Sequence, residues 1–382
     1  MKATGYKIPF NIPYTTGRET EYISMAIENG HLSGNGPYTK KCHTFFEQRY
    51  GFEKVLLTTS CTDALEMAAL LIDIKPGDEV IIPSFTFVST ALAFARQGAI
   101  IRFADSRSDH PGIDEALIEP LINKRTKAIV PVHYAGVACD MDIIMNIANR
   151  HNLFVIEDAA HAIDSRYKGK PLGGIGHFGC FSFHETKGIH CGEGGMLVIN
   201  DKRFAKRAEM VWEKGTNRAM MARGEAEFYE WRETGSSFLP PEITAAFLYA
   251  QLEEIDKIQA RRIDVRQKYY SGLREIINNR NIGLPEIPDY STNNGHLFYL
   301  VCSSSEERKR LITHLGNKGI QTLFHYLPLH KSPWYKENYG KDHKLPQCTD
   351  YSERLIRFPL YSSLNDAMVN QVIKETEKFL SA

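Results

Sequence analysis

Residues 54–83 read KVLLTTSCTDALEMAALLIDIKPGDEVIIP. A short β-branched and leucine-rich run at 54–58 stops at two hydroxyl residues. Apolar side chains then recur at helical spacing over 62–74, Pro76-Gly77-Asp78 makes a turn, and residues 79–83 form a second apolar run. This is a strand, a crossover helix and a parallel strand. The pattern repeats downstream. Strands are predicted at 100–103, 127–132 and 153–157, and helices at 88–96, 114–121 and 140–152, with a further turn at Gln97-Gly98. Nearly continuous apolar strands alternating with helices predict an α/β fold built on a large, mainly parallel sheet covered on both faces. In such sheets ligands lie at the carboxyl ends of the strands.

Two more strands are expected at 179–183 and 196–199, then a helix over about 202–214 and a long polar loop. Pro241 opens another helical stretch, with Ile243, Phe247, Ala250, Ile255, Ile258 and Ile263 on one face. The Asn- and Pro-rich residues 278–294 mark the approach to a smaller α+β unit. We therefore expect a large domain with an N-terminal arm over 1–250, and a linking helix with a small C-terminal domain over 251–382.

The chain has 382 residues, with 46 Lys and Arg against 46 Asp and Glu, a formal net charge of zero. No broad basic field exists to attract nucleic acid or an anionic membrane. Ala64 to Ile72, among the longest apolar stretches, is interrupted by Glu66 and is too short to span a bilayer. The N-terminus lacks a secretory pattern, and the seven cysteines are scattered without a CxxC pair. A reduced, cytoplasmic setting is expected, with neither a disulfide frame nor a metal site.

Three blocks carry chemistry. Residues 60–65, SCTDAL, follow a strand and open a helix, so unpaired backbone N–H groups and hydroxyls could cradle an anion; Ser60 or Thr62 acting as a simple N-cap is the competing reading. Residues 155–161, VIEDAAH, end an apolar strand in two carboxylates, and a buried carboxylate there needs a cationic partner or a capping role. Residues 179–188, GCFSFHETKG, place Lys187 in a loop between strands, where a lowered pKa would make it a nucleophile. Residues 174–179, GIGHFG, match GxGxxG but precede a strand, so the dinucleotide reading fails.

These blocks belong to a larger set: VLLTTSCTDALEMAALL (55–71), IPSFTFVSTA (82–91), VPVHYAGVACDMD (130–142), CFSFHETK (180–187), EKGTNR (213–218) and FHYLPLH (324–330). Together they resemble the sugar aminotransferases of the DegT/DnrJ/EryC1/StrS family, pyridoxal 5′-phosphate enzymes of fold type I, the aspartate aminotransferase fold. The resemblance implies that Lys187 holds the cofactor covalently and is the catalytic residue, and that Asp158 pairs with the ring nitrogen. Cys61, Thr62 and Ser182 would hold the phosphate, and Phe87 would stack on the ring. His161 stands where many members have Gln beside the cofactor's phenolic oxygen. Gly188 replaces a usual Asn, and Ser237 stands where relatives place an Asn that reaches the neighbouring subunit's phosphate.

For the sugar the resemblance points to His325, Tyr326 and His330, to His133 and Tyr134, and to Asn217 and Arg218 in a loop contributed across a homodimer. The implied reaction is transfer of an amino group from L-glutamate to C4 of dTDP-4-keto-6-deoxy-D-glucose, giving dTDP-4-amino-4,6-dideoxy-D-galactose for cell-surface polysaccharide such as lipopolysaccharide. The alternatives are a 3-keto sugar nucleotide aminotransferase and a non-catalytic cofactor-binding regulator. Retention of Lys187, which a dehydrating branch replaces by His, favours amino transfer.

Overall fold

The computed structural model describes residues 5–278, 280–340 and 343–381. Its centre is a seven-stranded sheet of β1 (Val55–Thr58), β2 (Glu79–Pro83), β3 (Ile100–Ala104), β4 (Thr126–Ile129), β5 (Phe154–Asp158), β8 (Phe178–Ser182) and β9 (Gly195–Ile199), in the order β1-β9-β8-β5-β4-β2-β3. Between β5 and β8 lies a two-residue hairpin, β6 (Arg166–Tyr167) and β7 (Lys170–Pro171). Strands β3, β2, β4, β5 and β8 run parallel, and β9 runs antiparallel to both its neighbours. The reversal follows from the connection. Parallel neighbours need a crossover, whereas the twelve-residue loop 183–194 simply turns the chain back. That loop therefore sits at the carboxyl end of β8, and it carries Lys187.

Helices lie where the apolar period placed them, at Cys61–Leu71, Ser89–Ala95 and Met141–His151. The segment 114–121 is an exception. It forms two 3₁₀ turns, Glu115–Leu117 and Glu119–Leu121, because Pro120 has no N–H to donate and its ring crowds the carbonyl four residues back, which a continuous α-helix would need. Two apolar clusters pack on opposite faces of the sheet, one with Ile82, Phe94 and Leu197, the other with Ile81, Ile129 and Val155. The alternation of neighbouring Ile81 and Ile82 between them is the strand period made visible.

Helix Ile255–Ile277 leads to the C-terminal part. There β10 (Phe298–Val301) pairs antiparallel with β11 (Leu355–Phe358), and helices Ser305–Asn317 and Asp366–Ser381 pack on them. The N-terminal arm crosses over. Ile8 bridges to Ile320 and lies in this third core, so the start of the arm is tied to the C-terminal elements.

The GxGxxG segment serves the fold. Backbone N–H groups of Gly173, Ile175 and Gly176 donate to the Glu157 carboxylate at 2.7, 2.7 and 2.6 Å, and His133 Nε2 lies 2.9 Å from it. Glu157 and His133 are both fully buried. Of the two adjacent carboxylates, Glu157 pins a turn beneath the sheet; Asp158, one residue on, faces the other way.

Candidate active site

At the carboxyl edge of the sheet lies a cavity of about 830 Å³. Its walls include Cys61, Thr62, Phe87, Asp158, His161, Ser182, Lys187, His325 and Tyr326. Seven of the eight residues expected to hold a cofactor thus meet in one place, although they come from four separated stretches of chain.

Ser60 caps helix Cys61–Leu71, its hydroxyl accepting from the Asp63 N–H at 3.1 Å. Capping does not preclude an anion here, because one cap leaves further N–H groups of the first turn without an intrahelical partner. Thr62 Oγ1 pairs with Ser89 Oγ at 2.7 Å, which brings the hydroxyls of two helix starts together on the cavity wall. A glycine is required nearby. A side chain on Gly195 would run into the backbone of Ser60 and Cys61, so only a bare Cα lets β9 pass under the helix start.

Asp158 is the last residue of β5 and is 5 % exposed. Thr90 Oγ1 donates to its Oδ2 at 2.7 Å and the Ala160 N–H to its Oδ1 at 3.2 Å. Burial pushes its pKa up, against the opposing pull of those two donors and of Lys187. Lys187 has its ammonium nitrogen in no hydrogen bond or ion pair among the described residues. Burial brings its pKa down to about 8, with Arg357 pushing the same way and Cys61 and Asp158 opposing. A lysine near neutrality beside an anchored carboxylate is equipped for nucleophilic and proton-transfer work.

The His161 tautomer follows from its surroundings. The Ala135 N–H donates to Nδ1 at 3.3 Å, so in the neutral ring the proton is on Nε2, which lies 3.4 Å from the Tyr326 hydroxyl. Burial holds the pKa of His161, His296 and His325 well below 6.5, and their positively charged neighbours add to the effect. The rings of His161 and His296 stack at 4.1 Å, and His325 stacks on Tyr326 at 3.6 Å. All three are neutral donors and acceptors.

Phe87 is 58 % exposed, with its ring on the cavity rim. Gly188 makes room for Arg262. A Cβ there would lie 3.0 Å from Arg262 Nε, and Arg262 is held in place through the His296 carbonyl at 2.6 Å.

Other expected residues lie elsewhere in this chain. His133 is paired with Glu157 and lines no part of the cavity, because its ring points into the core. Tyr134 is a second layer, its hydroxyl 2.6 Å from His325 Nδ1. His330 is buried with Nδ1 on Ser84 Oγ at 2.7 Å, behind the cavity wall. Asn217 is buried and spans its own loop through the Phe228 carbonyl and Glu230 N–H. Arg218 is 62 % exposed near Glu213, and Ser237 bridges to Glu213 at the surface. Sequence reasoning missed Thr90, His296, Arg357 and the arm residues Phe10 and Asn11, all of which touch the cavity or its carboxylate.

The donor set fits pyridoxal phosphate: a lysine with a lowered pKa, a buried carboxylate, a hydroxyl-lined helix start and an aromatic rim. The DegT/DnrJ/EryC1/StrS aminotransferase family profile matches residues 13–377. The chain is 33 % identical over 375 residues to the spore coat polysaccharide biosynthesis protein SpsC of Bacillus subtilis (strain 168), covering 96 % of this chain and 95 % of that one. It is 32 % identical over 378 residues to GDP-perosamine synthase of Escherichia coli O157:H7, covering 98 % and 99 %. Among solved structures, Spr1654 of Streptococcus pneumoniae in its PMP form superposes with a TM-score of 0.90 at 27 % identity, covering 98 % of this chain and 99 % of that one.

Proposed function

Because this chain belongs to the DegT/DnrJ/EryC1/StrS family and is a pyridoxal-phosphate-dependent sugar aminotransferase of fold type I, we propose that it moves the amino group of L-glutamate to C4 of a nucleotide-linked 4-keto-6-deoxy sugar, dTDP-4-keto-6-deoxy-D-glucose in the first instance. The observation that carries amino transfer is Lys187, whose pKa burial brings down to about 8, in the same cavity as the carboxylate Asp158. The choice of C4 and of dTDP rests on the resemblance that the six sequence blocks carry together. A GDP-linked sugar is the second reading, favoured by the relative named GDP-perosamine synthase.

When bound, the cofactor supplies an electron sink for the carbon that loses its proton. The residues of this chain do the rest. Lys187 would bind the cofactor's carbonyl carbon and, once displaced by the donor's amine, take a proton from the donor's α-carbon and return it on the sugar side. Asp158, fixed by Thr90 and Ala160, would hold the ring nitrogen protonated. The first turn of helix Cys61–Leu71 with Ser182 would receive the phosphate, Phe87 would cover one ring face, and His161 Nε2–H would donate toward the phenolic oxygen. Donor and sugar would use the cavity in turn, which gives ping-pong kinetics.

A homodimer is part of the proposal. Phe228, Tyr229 and Trp231 are 66, 55 and 81 % exposed on the loop that follows Asn217, and a second copy would cover them and accept Ser237 and Arg218 at its own cavity. The test is to incubate the purified enzyme with L-glutamate and either dTDP-4-keto-6-deoxy-D-glucose or its GDP counterpart and to locate the new amine by NMR. Amine at C3, or no amino sugar from either nucleotide, would overturn the assignment.

A further inference from the structure

A second cavity, of about 560 Å³, opens between the loop that follows β3 and the C-terminal elements, and it shares no lining residue with the catalytic cavity. Its floor is Tyr299 of β10. That residue is 2 % exposed, and its hydroxyl has no hydrogen-bond partner among the described residues. A buried phenol in that state is completed by whatever enters the cavity. Burial raises the Tyr299 pKa, Arg266 opposes the rise, and the carboxylates of Asp109 and Glu286 add to it, so the phenol stays neutral and faces two acids. Part of the wall charge is already paired. Arg107 Nε and Nη2 donate to Asp109 at 2.8 and 2.7 Å, and Arg354 Nη1 donates to both oxygens of Asp350 at 2.8 Å. Glu286 and Arg280 differ: both are exposed on the cavity wall and have no ion pair among the described residues. The side-chain amides of Asn281 and Gln347 also line it, with no hydrogen bond among the described residues. Helix Pro346–Arg354 starts at this wall but cradles no anion. Pro346 has no N–H, the Gln347 and Cys348 N–H groups donate to Asp105 at 3.0 and 2.8 Å, and the Thr349 N–H donates to the Leu345 carbonyl at 3.1 Å.

We propose that this cavity is a second binding site, for an aminated sugar nucleotide, the product class of the reaction proposed above, on which reading the ligand's identity rests. The unused groups call for a ligand with one ammonium, one anionic group and several hydroxyls. Glu286, with Asp109 beside it, would take the ammonium, Arg280 the diphosphate, and the two amides with the Tyr299 phenol the sugar hydroxyls. An amino acid shares the pairing of ammonium and anion. It carries both on one carbon, has no hydroxyls to offer if it is glutamate, and leaves most of the space empty, whereas cavities of roughly 300–1,000 Å³ take ligands of nucleotide-sugar size. The keto precursor has the hydroxyls and the diphosphate but no ammonium for Glu286.

The test counts bound molecules. Holoenzyme is reduced with borohydride, which fixes the cofactor on Lys187 and stops amino transfer, and is dialysed to equilibrium against radiolabelled dTDP-4-amino-4,6-dideoxy-D-galactose. Two molecules per chain are expected, one in each cavity. Glu286→Gln and Arg280→Gln, both at exposed positions, are each expected to weaken one of the two by about tenfold, the loss of one charge-assisted hydrogen bond. Tyr299→Phe is expected to do the same. Turnover of the unreduced Glu286→Gln and Arg280→Gln enzymes should stay within about twofold of the parent, since neither residue lines the catalytic cavity. The keto precursor dTDP-4-keto-6-deoxy-D-glucose is expected to fill one site only, and excess L-glutamate to leave occupancy of the second site unchanged. One molecule per chain in the parent, a second molecule that all three variants hold at parental affinity, equal second-site binding of the keto precursor, or displacement of the second molecule by L-glutamate would overturn the proposal. Failure of the underlying reading looks different: the unreduced enzyme would form no amino sugar from glutamate, whatever number the dialysis returned.

Discussion

Replacing Thr90 by Val removes one hydroxyl and keeps the shape of the side chain. Thr90 is fully buried, and its hydroxyl gives Asp158 a 2.7 Å hydrogen bond while lying 2.8 Å from Thr86 Oγ1. Because Thr90 donates to the carboxylate, Thr86 must donate to Thr90, so the pair forms a relay ending on Asp158. A hydrogen bond to an ionised group contributes about 1.5–3 kcal/mol. At 1.36 kcal/mol per pKa unit, taking about 2 kcal/mol raises the Asp158 pKa by about 1.5 units. Burial already pushes that pKa upward, and the Ala160 N–H at 3.2 Å remains as its close donor among the described residues. The sign follows directly. Only the carboxylate form pairs with a protonated ring nitrogen, so a higher pKa moves the loss of cofactor binding on acidification to higher pH. Titrating apoenzyme with pyridoxal phosphate across pH should give a dissociation constant roughly ten to a hundred times weaker for Thr90→Val, with the acid limb displaced upward by about 1.5 units. Affinity within twofold of the parent and an unmoved acid limb would refute the assignment of Asp158 as the ring-nitrogen partner held by Thr90.

Lys187→Ala should abolish amino transfer and release the cofactor on dialysis; in the parent enzyme the rate of covalent cofactor attachment should rise with pH and level off above about 8, since only the neutral amine attacks. His161→Gln should keep turnover within about tenfold, because an amide can replace both ring functions, whereas His161→Phe strands the Ala135 N–H and should cost about 1–3 kcal/mol in urea unfolding as well as most of the activity. Gly188→Asn should destabilise the enzyme by about 1–3 kcal/mol, measured the same way, since its Cβ would meet Arg262, which the His296 carbonyl holds in place.

The sheet was legible because its strands are buried on both faces, so each appears as an unbroken apolar run with turn residues between. The site at its carboxyl edge was legible for the same reason: Thr62, Asp158 and Ser182 each lie within four residues of a strand's end. What sequence reading missed comes from long-range packing. Thr90 reaches Asp158 across 68 positions, and Arg357 enters the cavity from β11 of the C-terminal two-stranded sheet. No local period announces either. His133 misled because a histidine just after a strand looks like a ligand-binding residue; its partner, Glu157, is identified only when β4 and β5 are seen side by side. The helix expected at 114–121 failed on one residue, Pro120, whose effect on its neighbours outweighed the apolar period.

A chain of zero net charge that binds a phosphorylated cofactor and a diphosphate sugar must attract anions locally. The cavity could have done so with histidine cations, since His161, His296 and His325 all line it. Their packing forbids it. A proton on His161 would place a charge 4.1 Å from the His296 ring and next to Lys187, and burial already drives all three toward the neutral form. Positive charge is therefore left to Lys187 and Arg357, while helix-start N–H groups and hydroxyls supply neutral donors whose strength does not change with pH. Lys187, with its pKa brought to about 8, then changes charge close to neutrality. The donor half-reaction should slow as pH falls through the Lys187 titration and fail at lower pH once Asp158 is protonated, and replacing any one of the three histidines should leave both dependences where they are.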